Sequence, residues 1–131
     1  MRLDVGPVAK VIDALRPGVC ARPPFVVTQV VGTNGKGSTA AMLAHGLGRH
    51  VGGRVGLFTS PHLHRVGERV RVDGVAVDDE TIRIGVERVG QAEAAIGERL
   101  SFFEVLTAVA IDCFVAAECA HVVLEAGLGG R

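Results

Sequence analysis

The chain has 131 residues, 48% of them apolar and 21% charged, a composition that supports one domain with a buried core and argues against disorder. Lysine plus arginine balance aspartate plus glutamate at 14 each, so no basic field points to nucleic acid and no basic helix to a membrane surface; a small-molecule partner is expected. The three cysteines, Cys20, Cys113 and Cys119, lack CxxC spacing and leave an odd one over, which reads as reduced thiols in a reducing compartment with no zinc site expected; Cys113 and Cys119 are read as packing residues.

The N-terminus, MRLDVGPVAKVIDAL, is interrupted by Asp4, Lys10 and Asp13 before a signal core of about 7 to 15 apolar residues forms. No run approaches the roughly 20 apolar residues of a membrane span, and a cytoplasmic location is expected. Pro7 is tolerated near a helix start. The run FVVTQVV (25–31) is β-branched and bounded by Pro23-Pro24 and Gly32, which predicts a buried strand. A helix follows from Ser38 to about His50, with Met42, Leu43 and Leu47 on its apolar face, and RVGLF (54–58) completes a strand-helix-strand unit, parallel and right-handed by the usual rule.

ERVRVDGVAV alternates around Asp73-Gly74, a two-residue hairpin signal that predicts a small antiparallel excursion. Asp78 is placed to cap the next helix, whose apolar face is read as Ile82, Val86, Val89 and Ile96. Residues 102–117 are apolar nearly all round, as expected of a helix buried against a sheet. HVVLEAGLGGR then forms a strand running into a glycine loop, with Glu125 at the C-terminal end of a central strand, where open parallel sheets bind their ligands. The fold class is α/β: a P-loop nucleotide-binding fold with a mainly parallel sheet flanked by helices, truncated, plus the small hairpin. Residues 1–131 read as the N-terminal part of a larger ATP-binding domain.

The chemistry is concentrated in VVGTNGKGSTA. Strand, glycine-rich turn and helix N-terminus form an anion site in which backbone N–H groups and the helix dipole meet a phosphate. Gly32, Gly35 and Gly37 permit close approach, Thr33, Asn34, Ser38 and Thr39 complete the loop, and Lys36 supplies a full charge for the outer phosphates. The consensus GxxxxGK[ST] is broken at Val30 and at Gly37, where a metal-binding hydroxyl is usual. Ser38, Thr39 or a residue from another loop must hold the metal instead. Gly35, Gly37 and Ala40 also satisfy G-x-G-x-x-A, but the second strand ends in FTSPH, without the carboxylate a dinucleotide site requires.

Five segments in order, GTNGKGS (32–38), TSPHL (59–63), ERVRVDG (68–74), FFEVLTAVA (102–110) and VLEAGLGGR (123–131), resemble the folylpolyglutamate synthase and dihydrofolate synthase family, relatives of the Mur ligases. The resemblance implies ATP-dependent addition of L-glutamate to a folate or dihydropteroate carboxylate through an acyl phosphate. It further implies ATP and Mg²⁺, with Ser60 and Glu125 as metal ligands, and a pteroate contact from Ser101, Phe102, Phe103 and Glu104. Either phenylalanine is suited to stacking on a flat heterocycle, although phenylalanines opening an apolar helix are equally suited to a core. Family members are longer, and the rest of the ATP-binding domain and a C-terminal domain are expected beyond Arg131. Two other readings stand beside this one: a nucleotide-binding fragment without turnover, and a Mur-type ligase acting on peptidoglycan precursors, whose loop usually has a hydroxyl residue after the lysine.

Overall fold

The computed structural model describes residues 6–30, 36–50, 52–59 and 66–125. Helix α1 (Gly6–Leu15) opens with Pro7 in its first turn, where a missing N–H costs no intrahelical bond. Strand β1 (Val26–Val30), helix α2 (Lys36–His50) and strand β2 (Arg54–Phe58) form the expected unit. The helix begins at Lys36, two residues before the expected Ser38, so Lys36 and Gly37 belong to its first turn.

A 3₁₀ turn (Val66–Arg69) leads into β3 (Val70–Val72) and β4 (Val75–Ala76). Asp73 and Gly74 have φ of 52° and 82°, positive at both central positions, as a type I′ hairpin requires. This hairpin extends the main sheet: β3 pairs antiparallel with β2, Gly56 opposite Val72 and Phe58 opposite Val70. Asp73 locks it there, its N–H donating to the Val55 carbonyl at 2.8 Å and its Oδ1 accepting from the Val55 N–H at 2.9 Å.

Helix α3 (Asp79–Ile96) starts at Asp78, whose side chain accepts from the Thr81 N–H at 2.8 Å, and ends at Gly97 in the left-handed region. Its buried line is Gly85, Val89 and Ala92, with Ile82 partly buried. Val86 and Ile96, expected inside, are 42% and 39% exposed. Gly85 explains the rotation: a Cβ there would lie 2.8 Å from Val109 Cγ1, so the centre of the contact is a residue without a side chain. Helix α4 (Phe102–Ala116) is buried along most of its length, and β5 (Cys119–Glu125) closes the described chain.

The described strands form one sheet in the order β1-β5-β2-β3-β4. The apolar run of β5 is explained by its place: parallel strands lie on both sides of it. Helix α2 covers one face over Val30, Val55, Leu57 and Val123. The larger core fills the other face, where Phe58, Val122 and Leu124 meet Leu106, Ile111 and Phe114 of α4, with α1 and α3 packed outside. Gly56 is needed at this contact, since a Cβ would lie 2.5 Å from the Phe114 ring.

One acidic side chain enters that core. Asp112 on α4 is 7% exposed, and it accepts from Arg16 Nε at 2.7 Å, after α1, and from Arg88 Nε at 2.8 Å on α3. Burial pushes its carboxyl up, but the hydrogen bonds and charges of the two guanidinium groups outweigh that and hold it below the usual carboxylate range. Cys20 and Cys119 are buried and Cys113 is half-buried, all three as free thiols. Burial pushes Cys113 and Cys119 up to about 11, consistent with packing roles.

Candidate functional site

The register of the three parallel strands fixes where chemistry is possible. Val30 lies opposite Glu125, and Phe58 lies opposite Leu124. The ends of β1, β5 and β2 are therefore level at one edge of the sheet, the carboxyl edge at which open α/β sheets hold ligands. The glycine-rich loop leaves from the first, Glu125 ends the second, and Ser60 comes two residues after the end of the third. Gly32, Thr33, Asn34, Gly35 and Ser60 lie outside the described residues. Lys36, Gly37, Ser38 and Thr39 form the N-terminal turn of α2, so the backbone N–H groups of that turn and the positive end of the helix dipole serve this edge.

Glu125 is 5% exposed, a carboxylate buried at a strand end after the buried Val122, Val123 and Leu124. It opens onto a cleft of about 650 Å³ between α2 and the β2-β3 ladder, with Thr59 and Leu57 also in the wall. Hard oxygen donors of this kind, a carboxylate and a neighbouring hydroxyl, suit Mg²⁺, which keeps waters and phosphate oxygens in the rest of its shell. No group of three or more His, Cys, Asp and Glu gathers among the described residues, so a site built wholly from soft or imidazole ligands finds no support there.

The SFFE segment sits beside the same edge, and two contacts tie it to the end of β2. Phe58 and Phe103 stack with centroids 5.8 Å apart. The Thr59 N–H donates to the Arg69 carbonyl at 2.9 Å, and the Arg69 guanidinium lies over the Phe102 ring, 5.9 Å from its centroid. The four expected contact residues divide by role. Ser101 Oγ accepts from the Glu104 N–H at 3.2 Å while Glu104 Oε1 accepts from the Ser101 N–H at 2.9 Å, a reciprocal cap that starts α4. Phe103 is half-buried against Phe58, whereas Phe102 is 63% exposed.

Sequence reading missed this division, although the spacing Ser101-x-x-Glu104 is itself a helix-start signature. It also missed Arg69, whose partner Phe102 stands 33 residues further along the chain and so gives no local signal. The cap holds the α4 N-terminus in place, and with it an aromatic ring presented to solvent under the Arg69 guanidinium.

No protein-family model matches the chain. The dihydrofolate synthase/folylpolyglutamate synthase of Escherichia coli strain K12 is 40% identical over 129 residues, which cover 98% of this chain and 30% of that protein. The solved structure of E. coli FolC in complex with DHPP and ADP matches with a TM-score of 0.83 and 37% identity, covering 100% of this chain and 30% of the other. A bifunctional folylpolyglutamate synthase/dihydrofolate synthase with Mn, AMPPNP and L-glutamate bound gives a TM-score of 0.71 and 35% identity, over 95% of this chain and 28% of that one. The chain thus spans less than a third of the length of each protein it matches here.

Proposed function

This chain belongs with the folylpolyglutamate and dihydrofolate synthases, matching one part of them, and from that premise we propose that it is the N-terminal part of an ATP-dependent ligase that joins L-glutamate to a folate or dihydropteroate carboxylate. The observation that carries the reading is the level ending of β1, β5 and β2. It brings Val30, the last described residue before the glycine loop, and Phe58, the residue before the TSPH segment, level with the buried carboxylate of Glu125, with the exposed Phe102 stacked under Arg69 alongside.

In this reading the loop at 32–39 binds the triphosphate through its backbone N–H groups, and Lys36 neutralises the outer phosphates. Ser60 and Glu125 hold Mg²⁺ in place of the hydroxyl that Gly37 lacks; the ion supplies charge neutralisation for phosphate transfer. The substrate carboxylate takes the γ-phosphoryl group, and the amine of glutamate then displaces phosphate to form the amide. Phosphoryl transfer of this kind depends on positioning and electrostatics more than on a protein nucleophile. Phe102 stacks on the flat pterin, held by the Ser101–Glu104 cap. The printed ligands of the relatives, ADP with DHPP in one and Mn, AMPPNP and L-glutamate in the other, support this set of substrates. No helix among the described residues is long and apolar enough to cross a membrane, and we place the enzyme in the cytoplasm.

The test is ATP hydrolysis by the intact ligase with each substrate withheld in turn. Turnover requiring both a pteroate or folate and L-glutamate is expected. Turnover driven by a uridine-linked peptidoglycan precursor in their place would refute it.

A further inference from the structure

The two rings of SFFE are held in different ways. Phe103 is half-buried and fixed by its stack on Phe58. Phe102 is the first residue of α4, directly after the Ser101 cap, and is 63% exposed. The cap sets its backbone, but an exposed ring at a helix start exchanges rotamers freely unless something grips it. The grip comes from Arg69, whose Cζ lies over the ring at 5.9 Å from the centroid, inside the roughly 6 Å at which a cation is drawn to an aromatic face.

Arg69 is itself firmly placed. It ends the 3₁₀ turn directly before β3, and its carbonyl accepts from the Thr59 N–H at 2.9 Å. That bond carries the β2-β3 ladder one step past the pairing of Phe58 with Val70. Val70 is fully buried, which fixes the backbone on the other side of Arg69. The guanidinium therefore reaches out from the end of β2, the strand end level with Leu124 and next to Glu125.

A planar guanidinium laid over a ring occupies one face and leaves the opposite face available. It also restricts the ring's rotation, so that less freedom is lost when a flat ligand stacks on the open face. Two segments that meet only in the fold, the start of β3 and the start of α4, thus set the distance between the end of β2 and that open face.

We propose that Arg69 is a positioning residue for the flat heterocycle of the acceptor substrate, acting through Phe102, an inference that rests on the ligase reading above. Its carbonyl ties it to the strand end where phosphate transfer is placed, and its guanidinium holds the ring that meets the heterocycle. Arginine suits this role better than lysine, whose ammonium attracts a ring as a point charge without lying flat against it.

The test measures pteroate binding to the intact ligase by isothermal titration calorimetry, which needs no turnover. Arg69→Met keeps an unbranched stem and removes the charge; it should weaken binding about fivefold, the size of one cation–π contact at an exposed site, and Arg69→Lys should retain part of the affinity. In steady-state assays Arg69→Met should raise KM for the pteroate by a similar factor, with kcat and KM for ATP changed by less than about twofold, as expected when only binding is lost. Phe102→Leu should weaken binding as well, and adding Arg69→Met to it should have no further effect, because the ring through which the arginine acts is gone. Wild-type affinity in Arg69→Met, or an undiminished penalty when it is added to Phe102→Leu, would overturn the positioning role and leave the ligase reading standing. Failure of the unsubstituted ligase to bind pteroate would overturn both.

Discussion

Asp112 joins three helices through one carboxylate, and Asp112→Asn removes its charge with little change of shape. The native group accepts hydrogen bonds from Arg16 Nε at 2.7 Å, Arg88 Nε at 2.8 Å and Arg88 Nη2 at 3.2 Å. A hydrogen bond to a charged group contributes about 1.5–3 kcal/mol, and three at full value would give far more than the site supports. The side chains of Arg16 and Arg88 are 34% and 42% exposed, so they recover water when the partner is lost, and screening reduces each pair toward the surface value of about 0–1 kcal/mol. A net loss of about 2 kcal/mol is expected, or roughly 6–10 °C in Tm for a chain of this size.

Urea unfolding followed by circular dichroism measures the loss, and its pH dependence identifies the cause. The folded carboxyl is held below its usual range, so its stabilisation is present above about pH 4 and is lost as pH falls through the folded value. Asparagine does not titrate. The gap between wild type and D112N should stay constant from pH 7 to pH 5 and close toward pH 3. A gap under about 0.5 kcal/mol at pH 7, the level of an ordinary surface change, would refute the reasoning, as would a gap unchanged at pH 3.

The two phenylalanines of SFFE should separate by assay. Phe102→Ala, at an exposed ring, should change stability by less than about 0.5 kcal/mol yet raise KM for the pteroate, whereas Phe103→Ala should cost about 2 kcal/mol through its half-buried stack on Phe58. Two glycines make a second contrast. Gly56→Ala places a Cβ 2.5 Å from Phe114 and should destabilise by more than the 1–3 kcal/mol of ordinary overpacking, roughly 3 kcal/mol or above; Gly90→Ala, with open space around it on α3, should stabilise by up to about 1 kcal/mol. Thermal melts of the purified variants check both.

Local signals were the most legible. The Asp73-Gly74 turn and the Asp78 cap follow from backbone preferences of the residues themselves, and the apolar run before Glu125 announces a strand with neighbours on both sides. The buried face of α3 was misread because its centre is Gly85, and a hydrophobic pattern gives no weight to a residue that acts by having no side chain. Asp112 was invisible within an apolar helix because its partners stand 96 and 24 residues away. At the candidate site, the motifs named the segments but not how they meet. That Phe102 is presented and Phe103 packed depends on Phe58 and Arg69, which belong to β2 and to the 3₁₀ turn.

The central claim is that an alcohol and an acid from two strand ends hold the divalent ion beside the phosphate loop. Electron paramagnetic resonance of Mn²⁺ titrated into the intact ligase with AMPPNP tests it, using Ser60→Ala and Glu125→Gln. Each should lower Mn²⁺ affinity by at least about tenfold, with Ser38→Ala and Thr39→Ala having little effect. Unchanged affinity in both S60A and E125Q, with a loss in S38A or T39A instead, would contradict it.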